Sequence, residues 1–218
     1  MKRLFVPGLV AIGLFFSVVG RAADEPSGAA LADAVWKASG GENWSAVKTI
    51  NFTFAVEKEG KTVASAEHHW DVAAQTDRVK WKGKDVTVNL AEPASDEDAK
   101  AAYARWVNDS YWLLAPLKLK DRGTNVSAEG TKEMDGAKCD VLRLSFGKVG
   151  LTPNDQYLLY IDPATKLVRS WDYMPEPGKS MHATWEGYQK SGGLTLATDH
   201  QMGEARIRIL DLKVTTTK

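Results

Sequence analysis

Thr49-Ile50-Asn51-Phe52-Thr53-Phe54-Ala55-Val56-Glu57, followed closely by Ala64-Ser65-Ala66-Glu67-His68-His69-Trp70-Asp71-Val72, is the stretch that sets the architecture. Ile50, Phe52, Phe54 and Val56 alternate with Thr49, Asn51, Thr53 and Glu57. A period of two places one row of side chains in a core and the other towards water. Lys58-Glu59-Gly60-Lys61 reads as a turn, and beyond it Ala64, Ala66, His68, Trp70 and Val72 share a face. Val79 and Trp81 form a third run, and Lys82-Gly83-Lys84 turns the chain into Val86, Val88 and Leu90. Connections this short join antiparallel neighbours, so residues 49–90 predict four consecutive antiparallel strands.

Downstream, Ser95-Asp96-Glu97-Asp98 begins a helix with acids in its first turn, where exposed backbone amides favour negative charge. Ala99, Ala102, Tyr103, Trp106 and Val107 make its apolar stripe. The block Tyr111-Trp112-Leu113-Leu114-Ala115-Pro116-Leu117-Lys118-Leu119 follows. It reads either as a lid over a cavity mouth or as a buried linker between sheet halves, and burial is the commoner fate of such runs. The alternation of Leu117 and Leu119 with Lys118 and Lys120 predicts an amphipathic strand at its end. Further strands are predicted over 137–146, 156–162, 167–174, 181–189, 194–201 and 205–214, with Asp162-Pro163-Ala164-Thr165-Lys166 as a strong turn. Upstream, Ser27 to Gly41 carries Leu31, Val35 and Ala38 at helical spacing and stops at Gly40-Gly41. The expectation is an α+β, mostly β protein: a curled antiparallel sheet of about ten strands, forming an incomplete barrel covered by two or three helices.

Residues 1–22 have the parts of a secretory signal peptide. Met1-Lys2-Arg3 is cationic, Leu4 to Gly20 is uncharged, and Gly20-Arg21-Ala22 puts small residues at the −3 and −1 positions of a cut after Ala22. The rival reading is a retained anchor, but Pro7, Gly8 and Gly13 interrupt a run just short of spanning length. Residues 23–218 are then expected as a single domain with no stable membrane span. A lipid anchor would need a Cys at the cleavage point, and the one Cys is Cys139. The periplasm is the favoured compartment. In a eukaryotic secreted protein, Asn43, Asn51, Asn108 and Asn125 would be glycan acceptors.

The whole chain carries 28 basic and 28 acidic residues, and loss of Lys2, Arg3 and Arg21 leaves 25 against 28. A net charge of −3 argues against a general nucleic-acid binder. A single Cys excludes a disulfide framework and a Cys-rich zinc site.

The order of elements resembles the periplasmic lipoprotein-carrier superfamily, the LolA/LolB-like proteins and their outer-membrane lipoprotein-sorting relatives. The residues that carry the resemblance are the early helix ending at Gly40-Gly41, the hairpins of 49–90 and the Tyr111–Leu119 block leading into Asp121-Arg122-Gly123. The hairpin from Tyr157-Leu158-Leu159-Tyr160-Ile161-Asp162 to Leu167-Val168 completes it. The resemblance implies an incomplete antiparallel barrel closed by helices around an apolar cavity, which in the best-known members holds acyl chains of lipoproteins. It supplies no catalytic motif to carry over.

Aromatic side chains on the predicted strands and second helix are the candidate cavity lining: Phe52, Phe54, Trp70, Trp81, Trp106, Tyr111, Trp112, Leu114, Trp171 and Trp185. Large apolar walls with few polar groups suit a lipid or acyl chain. The competing assignment is plain core filling. Metal chemistry would need His68, His182 and His200 to converge on neighbouring strands, since His68 and the adjacent His69 point to opposite faces. The alternative places His68 half-buried with its nitrogen hydrogen-bonded and the other three at the surface. Cys139 reads as a small buried thiol. Asp96, Glu97 and Asp98 read as helix-start charges rather than acid/base catalysts. Gly147-Lys148-Val149-Gly150 lacks the ending of a phosphate loop. No enzyme, metal or cofactor is therefore expected. Two functions remain: binding or carrying a hydrophobic ligand in the cell envelope, the partner being a small molecule, a lipid or a lipoprotein; or an assembly module whose apolar groove or sheet edge receives an envelope protein segment.

Overall fold

Ser27 opens the first helix, α1 (Gly28–Ala38), its hydroxyl accepting the amide of Ala30 at 3.2 Å. The structure is a computed structural model describing residues 26–92, 96–147 and 150–217, so the expected signal peptide, Ser95 and the Lys148-Val149 pair lie outside the described residues. Leu31, Ala32 and Val35 bury one stripe of α1. At its end Gly40 adopts φ 83°, a left-handed conformation that costs glycine little, and hands the chain to a 3₁₀ turn over Gly41–Ala46.

The four strands predicted from residues 49–90 are present as β1 (Val47–Lys58), β2 (Lys61–Asp71), β3 (Thr76–Trp81) and β4 (Lys84–Asn89), paired antiparallel in sequence order. Ile50, Phe52 and Phe54 point into the core, as do Ala66, His68 and Trp70 on the neighbouring strand. The long final strand, β13 (Ala205–Thr216), inserts beside β1, and β12 (Asp199–Met202) lies outside it, giving the order β12-β13-β1-β2-β3-β4. Between the pairs Asn51–Lys213 and Thr53–Leu210 the register slips, with Asp211 at φ 54°. Such a bulge bends the strand and raises its twist, which helps the sheet to curl.

A second antiparallel sheet follows chain order: β5 (Thr124–Met134), β6 (Ala137–Phe146), β7 (Gln156–Ile161), β8 (Val168–Met174) and β9 (Met181–Thr184). The two sheets meet along β9 and β12. Gln201 donates its amide to Thr184 Oγ1 at 2.9 Å, and Glu186 pairs with Asp199 in an isolated bridge. The result is one curled wall running from β4 to β5, open between those two edges. Helix α2 (Glu97–Leu114) packs on β3 and β4, and α1 packs on β5 and β6. This is the incomplete barrel that the resemblance implied. The two largest buried clusters fill it, and Trp112 and Met202 pack against both.

Three expectations are corrected. The described residues hold thirteen strands rather than about ten. One addition is β5, and the predicted runs 181–189 and 194–201 are broken. β9 stops at Thr184, and a small hairpin joins β10 (Gln189–Ser191) to β11 (Leu194–Leu196) through Gly192-Gly193, both at positive φ. Second, residues 117–119 form no strand. α2 continues to Leu114, Pro116 cannot extend it, and a 3₁₀ turn over Ala115–Lys118 buries Leu117, with Leu119 buried just beyond it. Third, His200 is fully buried rather than at the surface, and His68 is completely rather than half buried.

Candidate apolar cavity

Tyr103, Trp106, Val107, Ser110 and Tyr111 recur on α2 at helical spacing and form one wall of a cavity of about 680 Å³ that opens to solvent. Phe54 and Val56 on β1, Ile207 on β13 and Met202 on β12 come from the first sheet. Tyr157, Trp171 and Tyr173 come from the second. Period-two alternation brings them together, because each is on the inner row of its strand. The volume falls within the range of about 300–1,000 Å³ common for sites that enclose one small ligand. At the rim, Leu151 and Met181 are 55% and 42% exposed, uncommonly high for large apolar side chains, and both line the cavity.

Aromatic rings make the deep end rigid. Tyr111 stacks on Trp171 at 5.9 Å, and Trp171 meets Tyr157 and Trp112 at 4.8 Å each. Burial drives the Tyr111 and Tyr157 phenols above their ordinary range, so both stay neutral. Tyr173 donates to the buried carboxylate of Asp155 at 3.0 Å, and its own phenol is pushed up to about 12, first by burial and then by that carboxylate. The charged groups of the lining other than Asp155 are Lys118, Asp121 and Arg122, with uncharged Asn108, Ser110, Thr124 and Thr152 beside them.

A second pocket, of about 460 Å³, lies on the other side of Trp106 and is lined by Trp36, Trp44, Trp70, Val72, Leu90 and Leu114 among others. Trp106, Lys118 and Asp121 line both. Of the ten candidate lining residues, Phe54, Trp106, Tyr111, Trp112 and Trp171 lie at the larger cavity, and Trp70 and Leu114 lie at the smaller one. Phe52, Trp81 and Trp185 line neither. Phe52 stacks on His68 at 4.6 Å, Trp81 sits under Arg105, and Trp185 packs edge-on against Trp171. Tyr103, Val107, Tyr157, Tyr173 and Ile207 were not singled out from the sequence. Tyr103 and Val107 already stood on the apolar stripe of α2, and that stripe was the available signal.

The histidines do not converge. His68 donates from Nδ1 to Asp77 Oδ2 at 2.6 Å and from Nε2 to Asp109 Oδ2 at 3.0 Å, tying β2 and β3 to α2. With a carboxylate on each nitrogen the ring holds both protons and cannot also offer a lone pair to a metal. Burial pulls this imidazole down, but Asp109 and Asp77 together outweigh it and raise it to about 9. His200 lies between Trp112 and Trp185, and burial lowers it to about 4. His182 bridges Asp172 and Asp135. Among the described residues no group of three or more His, Cys, Asp or Glu is placed to hold a metal ion. Cys139 is buried, and that burial raises its thiol. Among the described residues no helix is long and apolar enough to cross a membrane.

No protein-family model and no curated protein sequence matches the chain. Solved structures do resemble it. A LolA superfamily protein from Nitrosomonas europaea superposes with a TM-score of 0.51 at 9% identity, over 89% of this chain and 96% of that one. A DUF1329 family protein from Desulfovibrio piger gives 0.47 at 12% identity, over 85% and 92%. An outer membrane lipoprotein-sorting protein domain from Vibrio parahaemolyticus gives 0.42 at 9%, over 86% and 94%. At such identities the likeness is one of fold, and the first of the three carries it.

Proposed function

We propose that this chain is a periplasmic protein that binds or carries a hydrophobic ligand, a lipid or acyl chain, in the cavity between its curled sheet and α2. The observation that supports the reading most is the cavity itself: about 680 Å³ of space, walled by aromatic and aliphatic side chains from seven strands and one helix, with an opening to solvent. Protein interiors leave few spaces of this size, and a large apolar pocket is the usual place for a ligand. The exposed Leu151 and Met181 at the rim support loading from an apolar surface, since a ligand of this kind must never cross bare water. The signal-like residues 1–22 support export.

Native mass spectrometry of the chain purified from an envelope fraction, before and after organic extraction, tests the reading. A co-purified lipid that extraction removes is the expected result. Ile207→Trp, which adds an indole to the cavity wall, is expected to lower its occupancy about tenfold, or about 1.4 kcal/mol. A stoichiometric protein partner with no lipid would overturn the reading in favour of an assembly module.

A further inference from the structure

We propose that the smaller, tryptophan-lined pocket is a second subsite of the same ligand, and that the ligand is a two-chain amphiphile with an anionic headgroup. One chain lies in the larger cavity, the other in the smaller pocket, and the headgroup sits on the cationic segment between the two mouths. This rests on the hydrophobic-ligand reading and adds to it the number of chains and the sign of the head.

Two observations carry it. The first is the partition. The two spaces are divided at α2 and the turn after it, with Trp106, Lys118 and Asp121 bordering both. Trp106 meets Trp70 edge-on at 5.3 Å, and Trp70 lies 6.2 Å from Trp44, so indoles line one side of the smaller pocket, with Gln75, Lys118, Lys120 and Asp121 supplying its polar side. Wide aromatic faces of this kind suit an alkyl chain or a glycerol backbone. A single-chain ligand would leave that wall wet.

The second is the charge. Lys118 borders both spaces, Lys120 belongs to the smaller and Arg122 to the larger, all three within five residues. Lys118 Nζ stands 5.9 Å from the centre of the Trp106 ring, and Lys120 Nζ stands 4.2 Å from that of Trp36. Both cations are held over the rings that mark the pocket. Their acidic neighbours are weak competitors: Asp121 lies 3.4 Å from Lys118, and Asp33 pairs with Lys120 at 2.7 Å but also holds Lys37. Exposed pairs of this kind contribute little to stability, so a phosphate can displace them. An anionic phospholipid has this chemistry: two chains, and one phosphate to meet Lys118.

The test titrates the purified chain with three probes below their aggregation limits: dioctanoyl phosphatidylglycerol, dioctanoyl phosphatidylcholine and octanoate. Tryptophan fluorescence gives the affinity and native mass spectrometry the stoichiometry. One phosphatidylglycerol per chain is expected, bound more tightly than phosphatidylcholine. Val72→Trp fills the smaller pocket from a half-exposed strand end. It should weaken phosphatidylglycerol by about tenfold and leave octanoate within about twofold. Lys118→Gln with Lys120→Gln should narrow the preference for phosphatidylglycerol over phosphatidylcholine. Leu90→Trp repeats the filling from just beyond β4, should one variant fold poorly. If octanoate binds while both filled variants hold phosphatidylglycerol as the parent does, the two-chain proposal is overturned and the hydrophobic-ligand reading stands. If none of the three probes binds, both fall.

Discussion

His68 is the residue whose surroundings reach furthest. Its imidazolium is clasped by Asp77 from β3 and Asp109 from α2, and Asn108 donates to the second oxygen of Asp109 at 2.7 Å. Removing one partner of a buried ion pair typically costs about 3–5 kcal/mol, and His68→Gln is expected to lower stability by that order in chemical denaturation. The pH dependence follows from the direction of the shift. Below 6.5 the ring is protonated in folded and unfolded chains alike and its contribution is complete; it is lost as pH rises through about 9. His200 acts oppositely, because its folded value is depressed to about 4. Its contribution is present above 6.5 and declines as pH falls towards 4. Thermal midpoints measured from pH 4 to 10 should therefore fall on both flanks, and His68→Gln should flatten the alkaline one. A flank unchanged by that substitution would contradict the assignment.

At the scale of the element, α1 and β5 are joined by the absence of side chains. A Cβ on Gly28 would lie 2.7 Å from Ser127 Cα, so the helix rests directly on the strand's backbone. Gly28→Val must lift the helix and is expected to cost about 1–3 kcal/mol, read as a lower denaturation midpoint. α2 is held by bulk instead. Leu113 has no exposed surface, and Leu113→Ala should cost about 2–5 kcal/mol. These contrasts explain what the sequence could disclose. β1 to β4 were legible because Ile50, Phe52, Phe54, Trp70 and Trp81 alternate with polar residues in an unmistakable period. β5 was not, because its inner row, Val126, Ala128 and Gly130, is small where α1 presses on it. Its identity as a strand is fixed by pairing with β6. The cavity was half legible. Periodicity tells which side chains leave the solvent, and so reached Phe54, Trp106, Tyr111, Trp112 and Trp171. It cannot tell a ring that faces the hollow from one that faces a neighbouring side chain. Phe52 and Trp185 are as apolar and as periodic, yet one lies against His68 and the other against Trp171.

Across the whole molecule, the hollow exists because a bent wall is interrupted between β4 and β5 and two helices lean across the gap. The two sheets of that wall meet where β9 lies beside β12, through the Gln201–Thr184 bond and the Glu186–Asp199 bridge. The order in which the wall is assembled has a consequence of its own. β1, near the start of the described chain, is paired on one side by β2 and on the other by β13, about 150 residues later in sequence. Pairings so distant along the chain are formed late. Until β13 is in place, β1 lacks one of its two neighbours, and β1 to β4 have no bridge through β12 to the second sheet.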